Sequence, residues 1–122
     1  MNDIVLVSGG FDPIHSGHIA LIKDASKFGR VVVLLNSDNW LRKKKGKEFL
    51  PFNEREIIME ALKDVLDVIA FDDSDKTCID GIKKAINKYP NNKLKFVNGG
   101  DSNSETTPEK KFCDKNNIKT LW

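Results

Sequence analysis

Short apolar runs alternate with stretches of helical periodicity along this chain. That alternation predicts a Rossmann-like α/β fold: a doubly wound, parallel, five-stranded sheet with helices on both faces. Two further observations sharpen the prediction. Val31-Val32-Val33-Leu34-Leu35 is continuously apolar, as expected of a parallel strand covered on both faces. Glycine-rich and polar clusters directly follow the first, second and fourth apolar runs. In a parallel sheet they therefore gather at the carboxyl edge, where open α/β folds bind their ligands.

Taken in order, Asp3–Ser8 holds the apolar run Ile4-Val5-Leu6-Val7 and reads as the first strand. Gly9-Gly10-Phe11-Asp12-Pro13-Ile14-His15-Ser16-Gly17-His18 follows, then a helix over about Gly17–Phe28 marked by Ile19, Ile22, Ala25 and Phe28. Ser16 is the expected N-cap and Gly29 the stop. Arg30–Leu35 is the second strand, and it ends in Asn36-Ser37-Asp38. Trp40-Leu41 leads into a basic loop, Arg42-Lys43-Lys44-Lys45-Gly46-Lys47. Asn53 then reads as an N-cap with Glu56 at N3, and Phe52 stapled to Ile57. The third strand spans about Val65–Phe71. Asp72-Asp73-Ser74-Asp75 resembles a metal cluster, but reads better as a loop capping the next helix. That helix carries Ile79, Ile82, Ala85, Ile86 and Tyr89 and closes at Pro90. Leu94–Val97 is the fourth strand, followed by Asn98-Gly99-Gly100-Asp101. Thr107-Pro108 is an N-cap and N1 pair for a short helix, and Ile118–Leu121 is the last strand.

A length of 122 residues suits one domain, 1–122, and 39% hydrophobic with 31% charged residues suits a folded, water-exposed protein. The net charge of +2 points to neither nucleic acid nor a membrane surface. The one lysine run has no aromatic interleaving for stacking on bases, although a solvated loop or a nucleic-acid patch is its bland alternative. No apolar run reaches the roughly 18 residues a membrane span needs, and Met1-Asn2-Asp3 opens no signal peptide. A cytoplasmic protein is expected, with Cys78 and Cys113 as reduced thiols in helices.

The three carboxyl-edge loops carry the chemistry. Glycines let a ligand approach the backbone, and the first helix aims its positive dipole end at the same place. The i,i+3 spacing of His15 and His18 puts both rings on one face of that helix. Histidines add donors, while the lysines and Arg55 add positive charge. This combination suits a polyphosphate. The glycines match neither of the two common phosphate loops.

Gly10-Phe11-Asp12-x-x-His15-x-Gly17-His18 does resemble the signature of a nucleotidyltransferase superfamily. That superfamily includes glycerol-3-phosphate cytidylyltransferase and the heptose-phosphate nucleotidyltransferases. Asn36-Ser37-Asp38, the lysine run, Arg55 and Gly99-Gly100-Asp101 follow in the family's order. The resemblance implies that His15 and His18 contact the triphosphate and stabilise charge at the α-phosphorus, with Lys45 and Arg55 completing the catalytic set. Gly9, Gly10, Phe11, Asp12, Gly17, Lys44, Lys47, Gly99 and Gly100 would bind the nucleotide, and Asp101 would meet its ribose. Arg55 would hold an acceptor phosphate, with Asp38 and Trp40 nearby. Bland alternatives stay open: Arg55 paired with a helix glutamate, Asp38 as an N-cap, Asp101 as a turn residue, Trp40 as core. The resemblance also implies Mg²⁺ brought by the triphosphate, and a homodimer. The family's cytidylyltransferases usually carry a second motif, Arg-Thr-x-Gly-Ile-Ser-Thr-Thr or similar, after the last strand. The sequence ends at Trp122, where that motif would begin, so base specificity is an open expectation.

The expected reaction is attack by an acceptor phosphate monoester on the α-phosphorus, with pyrophosphate leaving. A phosphate monoester has a second pKa near 6, so it arrives largely ionised and needs no strong base. Positioning and charge neutralisation then dominate. CMP transfer to glycerol 3-phosphate or a sugar phosphate is the first reading, and AMP transfer to a sugar phosphate its rival. A nucleotide-binding regulatory module is the alternative from another class. A fragment of a class I aminoacyl-tRNA synthetase is disfavoured by the short chain and by the lack of a Lys-Met-Ser-Lys-Ser loop.

Overall fold

The computed structural model describes residues 3–97 and 107–121. The elements run β1 (Ile4–Gly9), α1 (Ser16–Ala25), β2 (Arg30–Leu35), α2 (Asp38–Lys45), α3 (Phe52–Glu60), β3 (Val65–Ala70), α4 (Ile79–Lys88), β4 (Leu94–Val97), α5 (Pro108–Lys115) and β5 (Lys119–Leu121). The strands form one five-stranded sheet in the order β3-β2-β1-β4-β5, and every pair is parallel. The chain winds outward from β1 to β3, then returns to β4 on the other side. The direction reverses between β1 and β4, which makes that junction the topological switch point.

Alternation along the strands divides the core into two layers. Ile4, Leu6, Val32, Leu34 and Phe96 pack with Ile82, Ala85 and Cys113, which places α4 and α5 on one face. Val5, Val7, Val31, Val33 and Leu35 pack with Ile22, Ala25 and Met59, which places α1 and α3 on the other. Residues Val31 to Leu35 are each fully buried, so the unbroken apolar run is a strand covered twice, as its composition predicts. Cys78 and Cys113 are free and buried, and burial is the main cause that pushes both thiols up to about 12.

Five local expectations are corrected. The N-cap of α1 is His15, not Ser16, because its ring accepts a backbone N–H that a serine one position later would not reach. The lysine run is not a loop. It forms the last turn of α2, which Ser37 caps at Trp40 N (3.1 Å) and Gly46 terminates. Lysines there complement the negative end of the helix dipole. Helix α3 starts from Pro51 without a side-chain cap, so Asn53 caps nothing. The preceding residues Phe49 and Leu50 are already fixed by Asp12, and that tertiary tie sets where the chain enters α3. Ile57 is 59% exposed, so it forms no staple with Phe52. Finally, Cys78 sits at the N-cap position of α4 rather than inside a helix. Thr107 and Pro108 do open α5, with Thr107 Oγ1 accepting from Lys110 N at 3.2 Å.

Candidate active site

A cavity of about 860 Å³ opens at the carboxyl edge of the sheet, over the switch point. Residues Ser8 to Asp12 form its floor, and His15, His18, Trp40, Lys44, Lys45, Phe96 and Glu109 stand around it.

The histidines are built into the helix start. His15 Nδ1 accepts from Gly17 N at 3.0 Å, and His18 Nδ1 accepts from His15 N at 3.1 Å. This is a capping box made of two imidazoles. The rings stack at 3.9 Å, and the edge of Phe11 closes on His18 at 4.9 Å. Gly17 must be small: an added Cβ would lie 2.9 Å from His15 Cε1. Because both Nδ1 atoms accept, each neutral ring carries its proton on Nε2. The sequence alone shows the pair of rings; the cap fixes their tautomer. Burial, followed by the neighbouring His15, depresses the His18 pKa. His18 is therefore a neutral donor at ordinary pH.

Asp12 has a fully buried side chain. It accepts from Phe49 N (2.6 Å) and Leu50 N (2.7 Å), and Lys45 Nζ lies 2.9 Å away. Burial would raise its pKa, but the Phe49 N–H, Lys45 and the Leu50 N–H outweigh burial and hold it below the usual carboxylate range. Asp12 thus ties the glycine-rich turn to the far end of α2 and places Lys45 at the cavity wall. Lys44 lies over the Trp40 ring at 4.6 Å, on the same wall. Gly10 sits under α2 so closely that an added Cβ would meet Leu41 Cδ2 at 2.7 Å.

Arg55 takes a place the sequence did not suggest. It is 1% exposed and does not line the cavity. Its guanidinium donates to the carbonyls of Gly10 (3.0 Å), Asn36 (2.8 Å) and Leu50 (2.9 Å), and to Asp38 Oδ1 (2.7 Å). It holds together the three segments that form the site. The guanidinium expected to meet an acceptor phosphate is thus buried and turned to these internal partners. Asp38 is occupied by Arg55 and also lies off the cavity, and Ser37 is the cap of α2. Lys47 is exposed beyond α2 and off the cavity. Gly99, Gly100 and Asp101 lie outside the described residues.

The structure also adds residues. Asp73 is buried and accepts from Asn36 Nδ2 (3.0 Å), Ser37 N (2.8 Å) and Ser37 Oγ (2.7 Å), fixing the loop after β2. Asp72 and Asp75 cap their own turn, and no metal-binding cluster forms among the described residues. Glu109, Phe96 and Val97 line the cavity. Nothing local in the sequence marks Glu109, which is one acid in a polar helix.

The model of cytidylyltransferase-like proteins matches residues 6–120. The chain belongs to the cytidylyltransferase-like family. That makes it a nucleotidyltransferase domain by kinship. It is 32% identical over 106 residues to the bifunctional protein HldE of Citrobacter koseri, covering 84% of this chain and 20% of that protein. HldE of Blochmanniella floridana is 42% identical over 74 residues, covering 57% of this chain and 15% of that protein. The chain thus spans about one fifth or less of the length of these relatives. The lipopolysaccharide core biosynthesis protein of Thermoplasma volcanium shares the fold, with a TM-score of 0.73 at 23% identity over 97% of this chain and 91% of that one. Among the described residues, no helix of this family member is long and apolar enough to cross a membrane.

Proposed function

We propose that this chain moves a nucleoside monophosphate from a nucleoside triphosphate to a small phosphate monoester, with release of pyrophosphate. The observation that carries the reading is the two-histidine cap at the N-terminus of α1, in one cavity with Lys44 and Lys45. In this reading the Nε2–H groups donate to the phosphates, and the helix dipole adds to them. Lys45, held by Asp12, neutralises charge that grows on the α-phosphoryl group and the departing pyrophosphate. The acceptor supplies its own anionic oxygen, so no residue has to act as base.

Mg²⁺ fits as a companion of the triphosphate rather than as a resident ion. Asp12, the motif's carboxylate, is already engaged by Lys45 and two backbone N–H groups. When bound, the ion supplies charge neutralisation at the phosphate oxygens. The motif favours CMP as the transferred group. Kinship with HldE, which has a heptose-phosphate adenylyltransferase domain, supports AMP and a sugar phosphate acceptor.

The test is pyrophosphate release with CTP or ATP, Mg²⁺, and a panel containing glycerol 3-phosphate and sugar phosphates. Release is expected only when triphosphate and acceptor are both present. If every pair is silent while a triphosphate still raises the melting temperature, the chain is a nucleotide-binding module instead.

A further inference from the structure

A second cavity, of about 450 Å³, opens between α2 and the turn that follows β3. It shares Trp40 and Lys44 with the first cavity, so these two side chains form the partition between them. Trp40, Lys43 and Lys44 have i, i+3 and i+4 spacing and stand on one face of α2. Lys76 enters the lining from the turn after β3. Lys43, Lys44 and Lys76 make no ion pair among the described residues, whereas Arg42 and Lys45 on the same helix are paired with Glu48 and Asp12. Asp73 fixes the two walls relative to each other. Its carboxylate holds Asn36 and Ser37 before α2, and its carbonyl accepts from Lys76 N at 3.0 Å. Lys76 also takes a left-handed backbone, with φ 69°, which a side chain disfavours and glycine does not. Backbone strain of this kind collects at ligand sites.

Three ammonium groups free of carboxylates suit a phosphate dianion. Asp72 and Ser74, on the same turn as Lys76, suit the hydroxyl groups of a small polyol or sugar. Arg55 is turned inward, so the charge of an acceptor phosphate must be met by other side chains. We propose that this second cavity holds the phosphate acceptor, with Lys43 and Lys76 as its binding residues and Lys44 shared between acceptor and triphosphate. Two anions that have to react repel each other, and a cation standing in both cavities offsets that repulsion where they meet. The assignment rests on the nucleotidyl-transfer reading given above.

The test measures pyrophosphate release by the whole chain, using the acceptor of the panel that gives the highest rate, in Lys43→Gln and Lys76→Gly. Each variant should raise the acceptor KM roughly 10- to 100-fold, the range for a hydrogen bond to a charged group. The KM for the triphosphate should stay within about twofold, because neither side chain lines the first cavity. Lys76→Gly relaxes the left-handed backbone, so its melting temperature should equal or exceed that of the wild type, which separates lost binding from lost folding. Lys111→Ala, an exposed lysine of α5 that lines neither cavity, should change neither KM. An acceptor KM unchanged in both variants overturns the assignment, and so does an equal rise in both KM values, which would make the second cavity part of the triphosphate site. If the wild type releases no pyrophosphate with any pair, the transfer reading fails, and calorimetry with glycerol 3-phosphate and the sugar phosphates then decides the site alone. Binding to the wild type that is lost in both variants keeps the cavity as a phosphate-ester site, and no binding overturns it.

Discussion

Protonation at Nδ1 of His18 would remove the acceptor that holds His15 N, so helix capping and charge state are linked at this residue. Its folded pKa lies below the ordinary 6.5, chiefly through burial. As pH falls through 6.5, the unfolded chain takes up the proton first, so the folded state loses stability toward the lower folded value. The melting temperature should therefore fall between pH 7.5 and pH 5.5, and His18→Gln should flatten that slope. A slope unchanged in the variant would detach His18 from the effect. The neighbouring ring separates capping from chemistry. His15→Ala should lose about 1 kcal/mol of stability with its cap. It should also lose on the order of 10²–10³-fold in turnover with its phosphate donor. His15→Asn restores an N-cap oxygen, so denaturant melts should recover while pyrophosphate release does not. Recovery of both would mean that His15 only shapes the helix.

Helix α2 and the start of α3 show where local pattern stops being informative. The strands were legible because a buried parallel strand is written as an unbroken apolar run, and β2 and β4 have the boundaries expected from their residues. The glycine and histidine motif was legible because its spacing is local. Helix α2 was not, since Leu41 is its only buried residue and a run of lysines reads as a solvated loop. What makes it helical is Ser37 at one end and Gly46 at the other. Arg55 was legible as a charge near the site, but not as a buried one. Its setting depends on carbonyls from Gly10, Asn36 and Leu50, which only the folded chain brings together. Arg55→Ala leaves those carbonyls and Asp38 without their donor, and should cost about 3–5 kcal/mol in urea unfolding. Arg55→Lys, which can reach fewer of them, should fall between. A substitution that weakens acceptor KM while leaving stability intact would instead make Arg55 a substrate contact.

At the scale of the whole molecule, the cavity lies across the sheet edge between its two layers. Its histidines belong to the start of α1, its lysines to the end of α2 and Glu109 to the first turn of α5. A nucleoside triphosphate that reaches both ends engages the two layers at once. In the proposed reading, inorganic tripolyphosphate meets the histidine and lysine side of the cavity and a nucleoside the α5 side. Joining the two parts makes the second contact intramolecular, so the joined ligand binds more tightly than the parts. A ligand present at about 100 times its Kd stabilises the fold by about 2.7 kcal/mol. In a chain of this size that corresponds to a rise of about 10 °C in melting temperature. Matched concentrations of ATP or CTP should therefore raise the melting temperature by more than tripolyphosphate and the nucleoside together. If tripolyphosphate alone reproduces the full shift, the α5 side takes no part in binding, and the cavity acts as a phosphate site on one layer only.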